Sequence, residues 1–214
     1  AMEVIVREPV DESTLDLQAV PNPLDTSFID VFVVARRALA GTPNVIQSFE
    51  TIDSTVGVHQ LEGDLEGRGV LIWTGRAQLR AGASGLVTFE AQALTALGSD
   101  VRDTALVEIA AVAAGKRAVL AHGGARLELP PDAIAAGITV LLQVEGRQSE
   151  NYQRLVDELK LVHAIDAYPI GIELRRPGRL AWDGAPQKGE GIYRFDAGAW
   201  VYLGDADEQV ALAA

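Results

Sequence analysis

Apolar side chains return at every second position along most of this chain, as in Val87-Thr88-Phe89-Glu90-Ala91, and the runs are short and cut by Gly or Pro. A period of two puts alternate side chains on opposite faces of an extended backbone, so such runs form strands with one buried face. In the first half they fall at 3–7, 29–35, 45–50, 55–60, 69–79, 86–93 and 104–109. In the second they fall at 117–121, 125–129, 138–145, 158–166, 170–174, 191–195 and 200–203. Seven short strands in about 110 residues is the count of a Greek-key sandwich, and a second set follows the first. The expectation is an all-β chain of two tandem antiparallel β-sandwiches.

The 214 residues are enough for two cores, at about 100 residues for each unit. The clearest local signal is GIYRFDAGAWVYLGD at 191–205. Residues suited to a pleated surface flank Asp196-Ala197-Gly198, which supplies turn chemistry, so the segment reads as a hairpin. Tyr193 and Phe195 share one face of its first strand, Trp200 and Tyr202 one face of its second, and cross-strand aromatic pairs then hold the register. The stretch 103–115 resists the pattern. Asp103 stands where a helix N-cap would, Leu106, Ile109 and Val112 have helical spacing, and Gly115 closes the run. Local propensity alone supports a helix there.

A resemblance decides that stretch for a strand. Residues 75–109 resemble the closing half of bacterial immunoglobulin-like domains, with Leu79, Gly82, Val87, Phe89, Ala91 and Asp103 at the pattern positions; the resemblance implies that 104–109 is that domain's last strand. The second half resembles ZU5-like sandwich modules. It has a Gly124-to-Pro130-to-Ala133 corner before an apolar strand, Arg176-Pro177 at a later turn, and Gly191-Ile192-Tyr193-Arg194-Phe195 with Trp200-Val201-Tyr202-Leu203-Gly204 as the terminal hairpin. The expected units are an immunoglobulin-like sandwich at 1–112 and a ZU5-like sandwich at 113–214, joined by a short Ala-Gly segment at 113–116. Such modules ordinarily add one or two strands after the hairpin. Here either 209–212 closes the second sandwich or an edge stays open, which invites pairing with another chain.

Charge and composition narrow the partners. Lys and Arg total 18 against 30 Asp and Glu, a formal charge of -12, which repels phosphate backbones and anionic headgroups, so nucleic acid is not expected as a partner. No apolar run reaches the roughly 20 residues that span a bilayer, and the opening Ala1-Met2-Glu3-Val4 has neither a basic n-region nor an apolar h-region. No membrane insertion is expected of this piece. With no cysteine the chain has no disulfide, thiol nucleophile or thiolate metal site.

The candidate chemistry is sparse. His59, His122 and His163 each stand alone, without the local pair that metal sites use, and His163 is in phase with Leu159, Leu161 and Ile165. His122-Gly123-Gly124 has the look of an oxyanion loop, but no Gly-x-Ser-x-Gly elbow accompanies it, and Ala83-Ser84-Gly85 reads as a turn. Asp11-Glu12, the acidic stretch 62–66 and the Asp205 to Glu208 run lack the fixed ligand spacing of a calcium loop and read as solvated loop tips. Trp73 reads as core. Trp182, beside Asp183-Gly184, is the candidate ligand contact, and Trp73, Trp182 and Trp200 together raise a sugar-stacking platform. Some ZU5-like modules adjoin a self-cleaving His-Phe-Ser site, and the chain has no such tripeptide.

The resemblances imply an extracytoplasmic, non-catalytic module of an exported bacterial protein: a spacer, adhesion or attachment unit beside other domains of a longer chain. No catalytic residue, cofactor or metal is assigned. Its expected partners are a protein or a cell-surface glycan. Two rivals remain, a carbohydrate-binding module needing two exposed aromatic rings on one face, and an enzyme assembled around His163, Asp166 and Glu173.

Overall fold

A computed structural model describes residues 14–22, 25–61, 70–144, 165–168, 173–182, 191–196, 199–205 and 210–212. The described residues are all-β, with antiparallel strands and no helix. The first sheet has the order β1 (Leu15–Pro21), β2 (Phe28–Ala35), β6 (Leu71–Gln78), β5 (Val58–Gln60). The central sheet runs β12 (Ile165–Tyr168), β11 (Thr139–Val144), β8 (Asp100–Ala111), β7 (Ser84–Leu94), β3 (Asn44–Phe49), β4 (Ile52–Val56). The third runs β16 (Val210–Leu212), β13 (Gly178–Trp182), β10 (Ala125–Leu129), β9 (Ala118–His122). A separate hairpin joins β14 (Gly191–Asp196) to β15 (Ala199–Asp205).

Two cores lie on opposite faces of the central sheet. Between the first and central sheets, Leu15, Leu17 and Ala19 meet Val87, Phe89, Val107 and Ile109, with Trp73 buried among them. Between the central and third sheets, Ala110, Val112, Val140 and Leu142 meet Leu120, Leu127 and Leu129. Neighbouring strand residues point to opposite faces, so Ile109 and Leu141 enter the first core while Ala110 and Leu142 enter the second. Beyond residue 108, β8 is covered on both sides. A strand buried on both faces loses its polar alternation, which accounts for the apolar run from Ile109 to Val112 within the stretch 103–115.

The expected boundary at 112 falls beside a continuous ladder. Ile109 pairs with Leu141 and Ala111 with Thr139, so the strand expected to end one unit accepts a strand from the next. The expected strand at 55–60 is two, because at Gly57 the chain leaves β3 in the central sheet and pairs with β6 in the first. β1 and β13 were not expected. β1 alternates buried and half-buried residues through LDLQAVP, and its outer edge is tied to the central sheet where Leu17 N–H donates to Asp103 Oδ2 at 2.7 Å. At the far end Val210–Leu212 pairs with β13 and forms one edge of the third sheet. The expected strand at 3–7 lies outside the described residues, as do most of 158–166 and 170–174.

Candidate functional site

Trp182 sits at the end of β13, opposite Ala125. Its indole is half-buried and packs on the second core. It also covers the β9–β10 turn: a methyl group at Gly124 would stand 3.1 Å from Trp182 Nε1. The His122-Gly123-Gly124 motif is that turn. His122 pairs with Ala125, and the two intervening glycines have φ of 57° and 89°, the positive pair that a tight two-residue hairpin turn requires. Its glycines therefore serve chain reversal. Burial lowers the His122 pKa below the ordinary histidine value, which keeps the ring neutral near pH 7.

The other candidates disperse. His59 is exposed on the short edge strand β5, and Glu173 is exposed before β13. His163 lies outside the described residues, and Asp166 is placed on β12 with its side chain undescribed. Ser84 Oγ accepts a hydrogen bond from Ala111 N–H at 3.0 Å, so this hydroxyl ties β7 to the end of β8. Trp73 is core; the Trp200 side chain lies outside the described residues, as do 11–12, 62–66 and 206–208. Among the described residues no three His, Asp or Glu side chains gather as a metal ion would require. No helix among them is long and apolar enough to cross a membrane.

Two carboxylates carry raised pKa values. For Asp103 burial is the largest cause, opposed by hydrogen bonds from the backbone of Leu17 and Thr104. For Glu108 burial is the cause; it is in register with Leu142, where the third sheet begins to cover the central one. Neither carboxylate lines the cavity found among the described residues. A cavity of about 90 Å³ opens at one end of the first core, lined by Phe49, Ile52, Leu79 and Arg80 among others. That is room for about three waters, against the roughly 300–1,000 Å³ of a small-molecule site.

The most exposed aromatic pair among the described residues is one the sequence placed correctly and used only for register. Tyr193 pairs with Tyr202 across the hairpin, and Phe195 with Trp200. The tyrosine rings lie 5.3 Å apart, tilted by 59°, and each residue is just over half exposed, at 54% and 53%. Gly191 makes room for them, since a Cβ there would approach Tyr202 Cε2 to 2.8 Å. Alternation gives the face a side chain shares; it does not tell which face stays wet, and that hid the exposure of this pair. Compared with known proteins, the chain matches no family model, no curated protein and no solved structure.

Proposed function

We propose that the chain is a non-catalytic structural and attachment module of an exported bacterial protein, working outside the cytoplasm as a spacer that holds its neighbours at a fixed separation. On this reading residues 1–112 are an immunoglobulin-like unit and 113–214 a ZU5-like unit. The observation that carries the proposal is the β8–β11 ladder, which runs one sheet through both cores. A spacer needs stiffness. Bending between the two cores would break ladder hydrogen bonds and shear both apolar layers, whereas a flexible linker would bend at little cost. The test uses the lack of native cysteine: spin labels at His59→Cys on β5 and Ala121→Cys on β9 report the separation of the outer sheets. One narrow distance distribution is expected. A broad or two-peaked distribution defeats the spacer reading.

A second reading, carbohydrate binding, draws on the exposed Tyr193–Tyr202 pair, because flat aromatic faces suit sugar rings. Trp182, packed over Gly124, contributes less open ring than either tyrosine. Tyr193→Ala should abolish retention on a neutral glycan that the native chain binds; retention unchanged by this substitution removes the tyrosine pair from consideration.

A further inference from the structure

We infer that the tip of the β7–β8 hairpin is a docking knob for a second copy of this chain, and that the cavity at the opposite end of the first core receives it. The knob is Leu97, which is 92% exposed, with Leu94 beside it at 52%. A lone leucine on a surface needs no account. This one stands on a turn whose backbone is tied down without it: Thr95 N–H donates to Ser99 O at 2.9 Å, Gly98 N–H to Thr95 O at 2.8 Å, and Ser99 N–H to Thr95 Oγ1 at 3.1 Å. Ala96 N–H donates to Ala38 O at 2.8 Å and Ala40 N–H to Leu94 O at 2.9 Å, which fastens the turn to the chain that follows β2. Leu97 is thus held out on an ordered mount, so burying it costs little backbone entropy.

The receiving cavity lies at the other end of β7. Ala83 and Val87 belong to its walls, whereas the tip follows Leu94. The 11 residues of β7, at about 3.3 Å each, set knob and cavity about 35 Å apart. The cavity volume of about 90 Å³ is of the order of the space left by truncating one buried leucine. Phe49, Leu79 and Ile109 line it, and Ile52 lines it from the edge strand β4 while remaining 53% exposed. It therefore offers a dry seat for a single aliphatic side chain.

Charge selects a second copy as the occupant. Arg80 is the one charged residue among those lining the cavity, and it enters no ion pair among the described residues. Glu50 belongs to the β3–β4 turn and is not among the lining residues; Asp53 alternates with Ile52 and Ser54 and points to the other face of β4. Toward the tip Asp100 and Glu90 share Arg102, at 3.0 and 3.5 Å, which leaves one net negative charge there. The two ends of one molecule thus match in size, polarity and sign. A membrane fits less well, because a chain of net charge -12 is repelled by anionic headgroups. Since knob and cavity occupy opposite ends, the contact is head-to-tail. Each docked copy still presents a free knob and a free cavity, so copies add in a line.

The test follows the mass of the full chain by sedimentation as its concentration rises, at physiological salt, where net repulsion is screened. Mass should climb without levelling at a dimer. Leu97→Asp should weaken self-association at least about tenfold, and Arg80→Glu about two- to fivefold. Ile52→Glu spoils the cavity and keeps the knob, and Ser54→Glu, two positions along β4, does the same. Either alone should stay monomeric. Mixed with Leu97→Asp, which keeps the cavity, either should form a one-to-one complex that grows no further, a recovery that damaged folds do not produce. A native chain that stays monomeric, a native mass that stops at the dimer, no loss with Leu97→Asp or Arg80→Glu, or no complex on mixing Leu97→Asp with either cavity variant each overturns the inference. So does attachment to phosphatidylcholine vesicles that Leu97→Asp abolishes in a chain that stays monomeric.

Discussion

The two cores are made differently although they share a sheet. The first is walled by long strands and filled with large side chains, Trp73 and Phe89 among β-branched residues. The second is filled by alanine, leucine, valine and isoleucine, and its third-sheet wall is made of strands of three to five residues. Its other wall is borrowed, since Ala110, Val140 and Leu142 come from β8 and β11 of the central sheet. A short-stranded sheet buries too little by itself to offset the entropy of ordering its chain. The second core therefore depends on the first, and the first does not depend equally on the second.

Leu141 and Leu142 test that asymmetry most directly, because they are neighbours on one strand, both fully buried, and enter different cores. Truncating either to alanine should cost about 2–5 kcal/mol at its own site. Leu141→Ala should reduce amide protection in both cores. Leu142→Ala should reduce it in β9, β10 and β13 while β2 and β6 keep theirs, because local opening of the dependent layer leaves the other folded. Residue-resolved hydrogen exchange reads both patterns, and protection lost in β2 and β6 of Leu142→Ala would break the asymmetry.

Glycines sharpen the contrast at the next scale. A Cβ at Gly75 in β6 would stand 2.5 Å from Gly57 O and 2.8 Å from Val58 Cγ1, where the chain crosses between sheets. Backbone has to move to admit it, so Gly75→Ala should cost about 2–3 kcal/mol in denaturant unfolding. At Gly178 in β13 the nearest atoms would be Leu129 Cδ2 at 3.2 Å and Glu128 O at 3.3 Å. The thinner layer can give by that much, and Gly178→Ala should cost less than about 1 kcal/mol. Equal costs would mean that the two regions are equally rigid.

The same difference explains what the sequence disclosed. Where one face is wet, as along β7 with Val87, Phe89 and Ala91 inside and Glu90 and Gln92 alternating, period two marks the strand plainly. Where both faces are buried, as from Ile109 to Val112, the pattern vanishes, and the stretch 103–115 that contains them kept a helical look that only tertiary packing overrode. β1 was missed although Asp16 and Gln18 alternate with Leu15, Leu17 and Ala19, because the run is short and ends in Pro21, and β13 because its run GRLAW is short and opens on Gly and Arg. The layering was not legible at all. Nothing in ITVLLQV says that Leu141 and Leu142 belong to different cores. Of the candidate site, the Tyr193–Tyr202 register was readable, but the exposure of the pair was not, because alternation tells which side chains share a face and not which face stays wet.

Between the first and central sheets a half-buried carboxylate gives a pH handle on the first core. Asp103 takes the Leu17 N–H, so Asp103→Ala leaves that donor at the β1 edge without its acceptor and should cost about 1–3 kcal/mol. Asp103→Asn keeps an oxygen acceptor and removes the charge. Because burial raises the Asp103 pKa, the folded state holds this proton to higher pH than the unfolded state does. Its contribution to stability is complete below the ordinary aspartate value and is lost as pH rises through the raised one. Asp103→Asn should thus be at least as stable as the native chain at pH 7, with the difference shrinking on acidification. Denaturant midpoints measured from pH 7 down to pH 4 decide it; an Asn variant that loses stability relative to the native chain at pH 7 would show that the charged hydrogen bond outweighs burial.

The smallest expected effect compares two hairpin turns. The β9–β10 turn uses Gly123 and Gly124 at positive φ, where glycine meets no Cβ penalty. The β3–β4 turn lies between Phe49 and Ile52, which pair with each other, and it places Glu50 at φ 54°. A glutamate held in the left-handed region carries strain of about 1–3 kcal/mol. Glycine there relieves the strain but costs about 0.5–1 kcal/mol through the extra freedom it gives the unfolded chain. Strain relief is the larger quantity, so Glu50→Gly should stabilise the first core by about 0.5 kcal/mol, read as a small rise in denaturant midpoint at unchanged slope. Equal or lower stability would mean that the Glu50 side chain holds the β3–β4 turn in a way the positive φ does not disclose.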